Sequence, residues 1–157
     1  MIRKLKQADV PIIEKFLGKV KAFSKNEVGI AMELVNISAK NPEQTDYNVF
    51  VYQDGKKILG YYCTGKRPLT DAVYDLYWIV TNPEHPQKGI GKSLLTHAEE
   101  FVLSKNARWL LAETSSKEAY AAARNFYLRN RYSIIAEIND FYSVGDNLMV
   151  FGKFFSK

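Results

Sequence analysis

Val73-Tyr74-Asp75-Leu76-Tyr77-Trp78-Ile79-Val80, a loop from Thr81 to Lys88, and then Gly89-Ile90-Gly91-Lys92-Ser93-Leu94-Leu95 form the stretch that decides the fold. The first eight residues are apolar at nearly every position, which predicts a strand buried on both faces in the middle of a sheet. Asp75 is conspicuous inside it. From Gly89 to about Lys105 the residues Ile90, Leu94, Leu95, Ala98 and Val102 recur as one apolar stripe of a helix. Glycines at such a strand-to-helix junction let backbone N–H groups approach a ligand. The unpaired donors of a helix N-terminus, with its dipole, then make an anion site suited to a pyrophosphate. The same two glycines would also serve a bare tight turn.

On the N-terminal side, Tyr47 to Gln53 and Lys57 to Thr64 read as two strands joined by Asp54-Gly55, an antiparallel hairpin signal. Arg3 to Leu5 reads as a short first strand. Ile13, Phe16, Leu17 and Val20 mark a helix with Asp9 as N-cap and Pro11 in its first turn. Ser24 and Glu27 form a capping-box pair ahead of a second helix, carrying Val28, Ala31, Met32 and Val35 and ending near Asn41-Pro42. On the C-terminal side, Arg108 to Glu113 reads as a strand. Ser115 and Glu118 suggest a second capping box before Ala119, Ala122, Ala123, Phe126 and Tyr127 on one helical face. Tyr132 to Ile138 and Leu148 to Phe155 are the last strands, separated by a polar loop with Asp140, Gly145 and Asp146. The predicted order is β-α-α-β-β-β-α-β-α-β-β, a mixed α/β layout. No linker or repeat divides it, so residues 1–157 read as a single domain.

A chain with 46% hydrophobic and 25% charged residues lies far from the disordered class. Its net charge of +5 favours anionic partners, whether nucleic acid, acidic lipid or a phosphorylated cofactor. The basic residues are scattered and form no block, which argues against nucleic acid. No apolar h-region follows the basic N-terminus, and no run approaches the roughly 18 apolar residues that span a bilayer. These features predict a cytoplasmic protein without a membrane partner. The lone cysteine, Cys63, rules out an internal disulfide and reads as a small core residue. His85 and His97 are twelve residues apart, one on a loop and one on a helix, and do not read as a metal pair. The loop is neither a Walker A motif, since GxxxxGK(S/T) is absent, nor a Rossmann GxGxxG, since Leu94 stands in the third glycine's place.

Two hairpin strands, a buried strand and a GxG opening a helix resemble the GNAT acyltransferase superfamily, whose pyrophosphate loop follows (Gln/Arg)-x-x-Gly-x-(Gly/Ala). The frame here is Pro86-Gln87-Lys88-Gly89-Ile90-Gly91, with Pro86 at the first position and Gln87 one place late. Downstream, Ala123-Arg124-Asn125-Phe126-Tyr127-Leu128-Arg129-Asn130-Arg131-Tyr132 is similar to the family's AxxxYxxxGF segment, with Arg131 in place of glycine. The resemblance implies a central, mostly antiparallel, splayed sheet of six to seven strands flanked by four helices. It implies an N-acetyltransferase that uses acetyl-CoA as co-substrate, transfers the acetyl group to a primary amine by direct attack in a ternary complex, and needs no metal.

By the same resemblance, Gln87, Lys88, Gly89, Ile90, Gly91, Lys92 and Ser93 hold the pyrophosphate. Ile79 and Val80 flank a backbone donor for the thioester oxygen. Tyr127 protonates the leaving thiolate, and Tyr120 stands where the family has a cofactor-binding asparagine. Acyl transfer also needs a base for the amine. Asp75 is the first candidate and Glu113 the reserve, although Asp75 is equally suited to pairing with a Lys or Arg. The acceptor is a small-molecule or peptide amine, in a pocket walled by residues 23–26 and 139–146 where Asp140 and Asp146 attract a cation. A homodimer is compatible with such a fold. The alternatives are a non-catalytic acyl-CoA-binding member of the same fold and a small basic nucleic-acid-binding domain.

Overall fold

Tyr61 and Tyr62 are neighbours on one strand and both are wholly buried, so the strand that carries them is covered on both faces. In the computed structural model, which describes residues 1–155, that strand is β3 (Lys57–Lys66). The other elements are β1 (Ile2–Lys4), α1 (Val10–Leu17), α2 (Lys25–Lys40), β2 (Asn48–Asp54), β4 (Val73–Thr81) and α3 (Ile90–Ser104). They continue with β5 (Trp109–Ser115), α4 (Ala121–Arg129), β6 (Ser133–Ser143) and β7 (Asp146–Phe154). The seven strands form one mixed sheet in the order β1-β2-β3-β4-β5-β7-β6. Four helices complete the mixed α/β fold expected from the pattern of elements. The sheet is mostly antiparallel, the exception being β4 with β5, whose parallel register runs from Val73↔Trp109 to Asp75↔Leu111.

By its contacts the chain divides into two compact units, one made of Met1–Gly65 and Tyr77–Phe101, the other of Lys66–Leu76 and the chain from Val102 onward. In the first, Ile13, Phe16 and Leu17 of α1 and Ala31, Met32 and Val35 of α2 pack with Val49, Val51, Tyr61 and Cys63 of β2 and β3. The stripe of α3 supplies Leu94, Leu95 and Ala98, all buried. Tyr62 stacks on Phe50 with ring centroids 5.3 Å apart, and Phe50 packs on Phe101 at 5.1 Å. Burying a residue of this size contributes roughly 1.5–3 kcal/mol. Cys63 is buried, and burial pushes its thiol far up from its usual range. The Tyr61 hydroxyl is buried without a hydrogen-bond partner, which also raises it.

In the second unit, β5 and β6 pair with β7 on either side. Tyr127 of α4 packs on Phe151 and Tyr132, with ring centroids at 5.4 and 5.7 Å. The helix ends in a Schellman closure: Tyr132 N donates to Tyr127 O and Arg131 N to Leu128 O. The residue between helix and strand must then be left-handed, and Arg131 is, at φ 68°. The glycine of the similar family segment would meet this requirement without a Cβ penalty. The turn is kept although its usual residue is not.

Several local expectations are corrected. Asp9 does not cap α1 with its side chain; its carboxylate accepts from the Lys6 amide and pairs with Arg3 at 2.8 Å, stabilising a preceding 3-10 turn instead. Ser115 is the last residue of β5, and its hydroxyl bonds to Asp146 and accepts from Lys117 N. The Ser115–Glu118 capping box is therefore not formed. A 3-10 turn over Glu118–Tyr120 delays α4, which leaves Ala119 and Ala122 exposed and Tyr127 as the buried residue of the helix. The final hairpin is longer than its loop signals suggest: Asp140 lies in β6, Asp146 opens β7, and Val144-Gly145 makes the turn.

Two substitutions are expected to stabilise the protein by about 1 kcal/mol each in urea unfolding. Arg131→Gly relieves the left-handed backbone, and Tyr61→Phe removes a hydroxyl that burial leaves unpaired. Tyr62→Phe, which loses a made hydrogen bond, is expected to destabilise by a similar amount.

Candidate active site

The loop between β4 and α3 begins with Asn82, a buried polar residue whose contacts are all made inside the first unit. Its Nδ2 donates to Ile58 O at 2.9 Å, its backbone N to Leu59 O at 2.8 Å, and its Oδ1 accepts from Glu84 N at 2.9 Å. The exit of β4 is thereby tied to the start of β3. Leu59, Thr81, Asn82, Pro83, Pro86 and Lys88 are among the residues around an open depression of about 360 Å³ at this loop. Asn82 was not singled out from sequence, although Asn82-Pro83 is a turn-initiating dipeptide that marks the position.

Ser93 N donates to Gly89 O at 2.9 Å, which makes Gly89 the residue capping α3. Gly89 has φ 86°, a conformation that L side chains resist, and a Cβ built on it would meet nothing within 4 Å. The amides of Ile90, Gly91 and Lys92 are the first three of the helix and lack intrahelical partners. Gln87, Lys88, Lys92 and Ser93 are exposed around them, while Ile90 turns inward. An oriented set of N–H donors, a dipole end and two lysines can hold a diphosphate in extended contact. The space beside Gly89 and the donor set both fit such a group.

Upstream of the loop, Val80 is buried whereas Tyr77, Trp78 and Ile79 are half-buried, so this part of β4 is less enclosed than its apolar sequence suggests. Gly60 of β3 lets the Val80 carbonyl come so near that a Cβ on Gly60 would lie 2.7 Å from its oxygen, closer than a real Cβ tolerates.

In the second unit, both candidate bases meet one cation. Arg67, just beyond β3, donates from Nε to both oxygens of Asp75 at 3.1 and 3.0 Å and pairs through its terminal nitrogen at 2.9 Å. The same nitrogen reaches Glu113 Oε1 at 3.2 Å. Asp75 is buried and Glu113 is 44% exposed in its side chain. The hydrogen bonds to Asp75 push the Arg67 guanidinium further up from an already high value. Arg67 was not singled out from sequence, because its partners lie 8 and 46 residues away. Tyr127 is buried, and burial pushes its phenol up, so it keeps its proton at every working pH. Tyr120 closes the 3-10 turn before α4.

Asp146, read as a lure for a cationic acceptor, is instead buried, bonded to the Ser115 hydroxyl and 3.7 Å from Lys117 Nζ. Asp140 accepts from Gly145 N at 2.7 Å inside its own hairpin. His97 Nδ1 lies 2.8 Å from the Tyr62 hydroxyl and its ring packs on Phe50 at 4.9 Å, while His85 is on the loop. Among the described residues, no group of three or more His, Cys, Asp or Glu is placed to hold a metal ion. No described helix is long and apolar enough to cross a membrane.

Comparison with known proteins bears on the family and on the fold. The model of the acetyltransferase (GNAT) domain matches residues 45–134, more than half of the chain. The chain belongs to the GNAT family. A GNAT-family protein from Desulfovibrio desulfuricans has 29% identity over 98% of each chain and superposes with a TM-score of 0.93. The Escherichia coli ribosomal-protein-S18-alanine N-acetyltransferase shares the fold at 18% identity, TM-score 0.76, over 100% of this chain and 94% of its own. A Salmonella typhimurium structure holding its cofactor acetyl-CoA does so at 15% identity, TM-score 0.77, over 100% and 94%. No curated protein matches this chain in sequence.

Burial pushes the imidazolium pKa of His97 below its usual 6.5, against a weaker opposing pull from Glu100. Its folded pKa thus lies below its unfolded one, so its contribution to stability is present above about pH 6.5 and is lost as pH falls through the folded value. Urea unfolding at pH 7.5 and 5.5 is expected to show lower stability at the acid end. His97→Gln, which keeps an acceptor for Tyr62, should flatten that part of the difference.

Proposed function

We propose that this GNAT-family chain, acting as one domain over residues 1–157, is an N-acetyltransferase that moves the acetyl group of acetyl-CoA to a primary amine by direct attack. The observation that carries the reading is Gly89, left-handed and open at its Cβ, setting the unpaired amides of α3 toward solvent with Lys88 and Lys92 beside them. Acetyl-CoA supplies an activated acyl thioester when bound. Its pyrophosphate is assigned to Gln87–Ser93, with Ile79, Val80 and Tyr120 as further cofactor contacts.

Each remaining step falls to a residue of suitable chemistry. Tyr127, held protonated by burial, is the acid for the departing thiolate. Glu113, the more exposed of the two carboxylates, or Asp75 takes the amine proton, directly or through one water. The Val80 region supplies a backbone donor to the thioester oxygen. Arg67 holds and aims both side chains, and a single guanidinium shared by two acidic residues leaves the cluster with an excess of acidic groups that suits an ammonium. The acceptor is a small-molecule or peptide amine, and the reaction is one of soluble, cytoplasmic chemistry.

One observation favours a second reading, an acyl-CoA-binding member without turnover: Arg67 engages both carboxylates and leaves neither as a lone base. The two readings part on kinetics. Isothermal titration with acetyl-CoA is expected to give micromolar binding that Gly89→Glu abolishes. Thiol release with a panel of primary amines should then fall about 100-fold in kcat in Tyr127→Phe with cofactor affinity unchanged. Binding without release for any amine selects the second reading, and absence of binding by the wild type overturns both.

A further inference from the structure

Arg67, Asp75 and Glu113 all lie in the second unit, and the guanidinium does not treat the two acids alike. Asp75, its side chain 9% exposed, receives Nε on both oxygens and the terminal nitrogen at 2.9 Å. Glu113, 44% exposed, receives one contact at 3.2 Å. Forked, charge-assisted pairing at a buried acid is the strong form, and a single longer contact at a half-exposed acid is the weak one. An incoming ammonium can draw Glu113 off the guanidinium. To reach Asp75 it would have to break a forked pair at a buried position.

The register of β5 separates the two acids again. Ala112 stands opposite Phe151, whose ring packs on Tyr127 at 5.4 Å. Glu113 is the next residue of β5, so its side chain leaves the opposite face of the sheet at the level of Tyr127. Asp75 stands beside Leu111, two residues or about 7 Å back along the strand. In direct attack the amine nitrogen and the leaving sulfur are different substituents of the reacting carbon, so a base and an acid on opposite faces suit it. Glu113 has that placement relative to Tyr127.

The turn that presents Arg67 is strained. Arg67 N donates to Val73 O at 2.8 Å, and Thr70 donates to Arg67 O from N at 3.4 Å and from Oγ1 at 2.7 Å, closing a turn over Pro68 and Leu69. Leu69, at φ 67°, fills the place that glycine usually takes after such a proline, and its side chain is fully exposed. Packing of the leucine therefore offsets none of the strain. Backbone held in this way gathers at working sites, and here it fixes Arg67 against β4 two residues from Asp75.

We propose that Arg67, anchored by Asp75, is a positioning residue for Glu113, and that Glu113 exchanges its guanidinium contact for the acceptor's ammonium and takes its proton. The inference rests on the acetyltransferase reading. One N–H bond of the ammonium breaks as its proton passes to a Glu113 oxygen. The freed lone pair then bonds to the acetyl carbon, the C–S bond breaks, and the sulfur takes the Tyr127 proton. The new amide nitrogen loses a second proton, which restores Tyr127 through solvent.

Thiol-release kinetics with the best amine of a panel, beside titration with acetyl-CoA, test the assignment. Glu113→Gln is expected to lower kcat about 100-fold and Asp75→Asn about 10-fold, with acetyl-CoA affinity unchanged in both. Both substitutions keep the volume of the acid, so the fold is retained. Because Asp75 acts only through Glu113, adding Asp75→Asn to Glu113→Gln should cost nothing further. Arg67→Met should raise the amine KM and lower kcat, and Arg67→Lys, which keeps the charge without the fork, should recover part of that loss. A larger loss in Asp75→Asn than in Glu113→Gln, or losses that multiply in the double variant, overturns the proposal and leaves the acetyltransferase reading standing. A wild type that binds acetyl-CoA and releases thiol with no amine overturns that reading, and the proposal with it.

Discussion

Everything in the first unit follows from sealing β3 on both faces. Tyr61 points into the layer formed by α1 and α2, and Tyr62 into the layer formed by α3, and neither tolerates water. A strand with that requirement needs helices on both sides, which is why its sequence runs apolar without alternation. The helix covering the Tyr62 face is the one whose N-terminus carries the amides of Ile90 to Lys92. Asn82 ties the loop before it to the carbonyls of Ile58 and Leu59, three and two residues from Tyr61. The N-terminal end of α3 thus inherits its position from a core strand rather than from loop stiffness. The unpaired Tyr61 hydroxyl is a cost of about 1–3 kcal/mol that this packing offsets.

The net charge conceals an orderly use of ions. Three buried aspartates each face a basic residue: Asp9 with Arg3, Asp75 with Arg67 and Asp146 with Lys117. At Asp9, burial alone would push the carboxyl up, but the Arg3 and Lys6 contacts outweigh it and the group ends below its usual range. A buried carboxylate without such a partner would cost several kcal/mol. With these cations committed to buried carboxylates, the excess positive charge is left to exposed lysines, among them Lys88 and Lys92 at the loop.

How much of this was legible in the sequence depended on the range of the interaction concerned. Apolar stripes on α1 and α3, the Asp54-Gly55 hairpin and the glycine loop are local signals, and each matches the structure. Ser24 does cap α2, accepting from Glu27 N. Ser115 and Asp9 failed as caps because better partners, Asp146 at 31 residues and Arg3 on β1, compete for their side chains. The burial of Asp75 could be suspected from its apolar neighbours, but Arg67 could not, since nothing local links them. β6 was cut short because neither of its faces is buried, so it lacks the alternation by which a strand is recognised. Arg131 stood out as a departure from a glycine pattern, yet its left-handed backbone shows that the turn outlived the residue.

The burial of Cys63 has a use at the bench. With no exposed surface and a thiol that burial keeps protonated, this side chain is closed to maleimides and to disulfide reagents while the fold is intact. The native protein therefore behaves as a cysteine-free background. A colorimetric thiol assay will register free thiol in solution and not the protein. One cysteine introduced on an exposed strand becomes the sole attachment point for a spin label or fluorophore, with no prior removal of native residues.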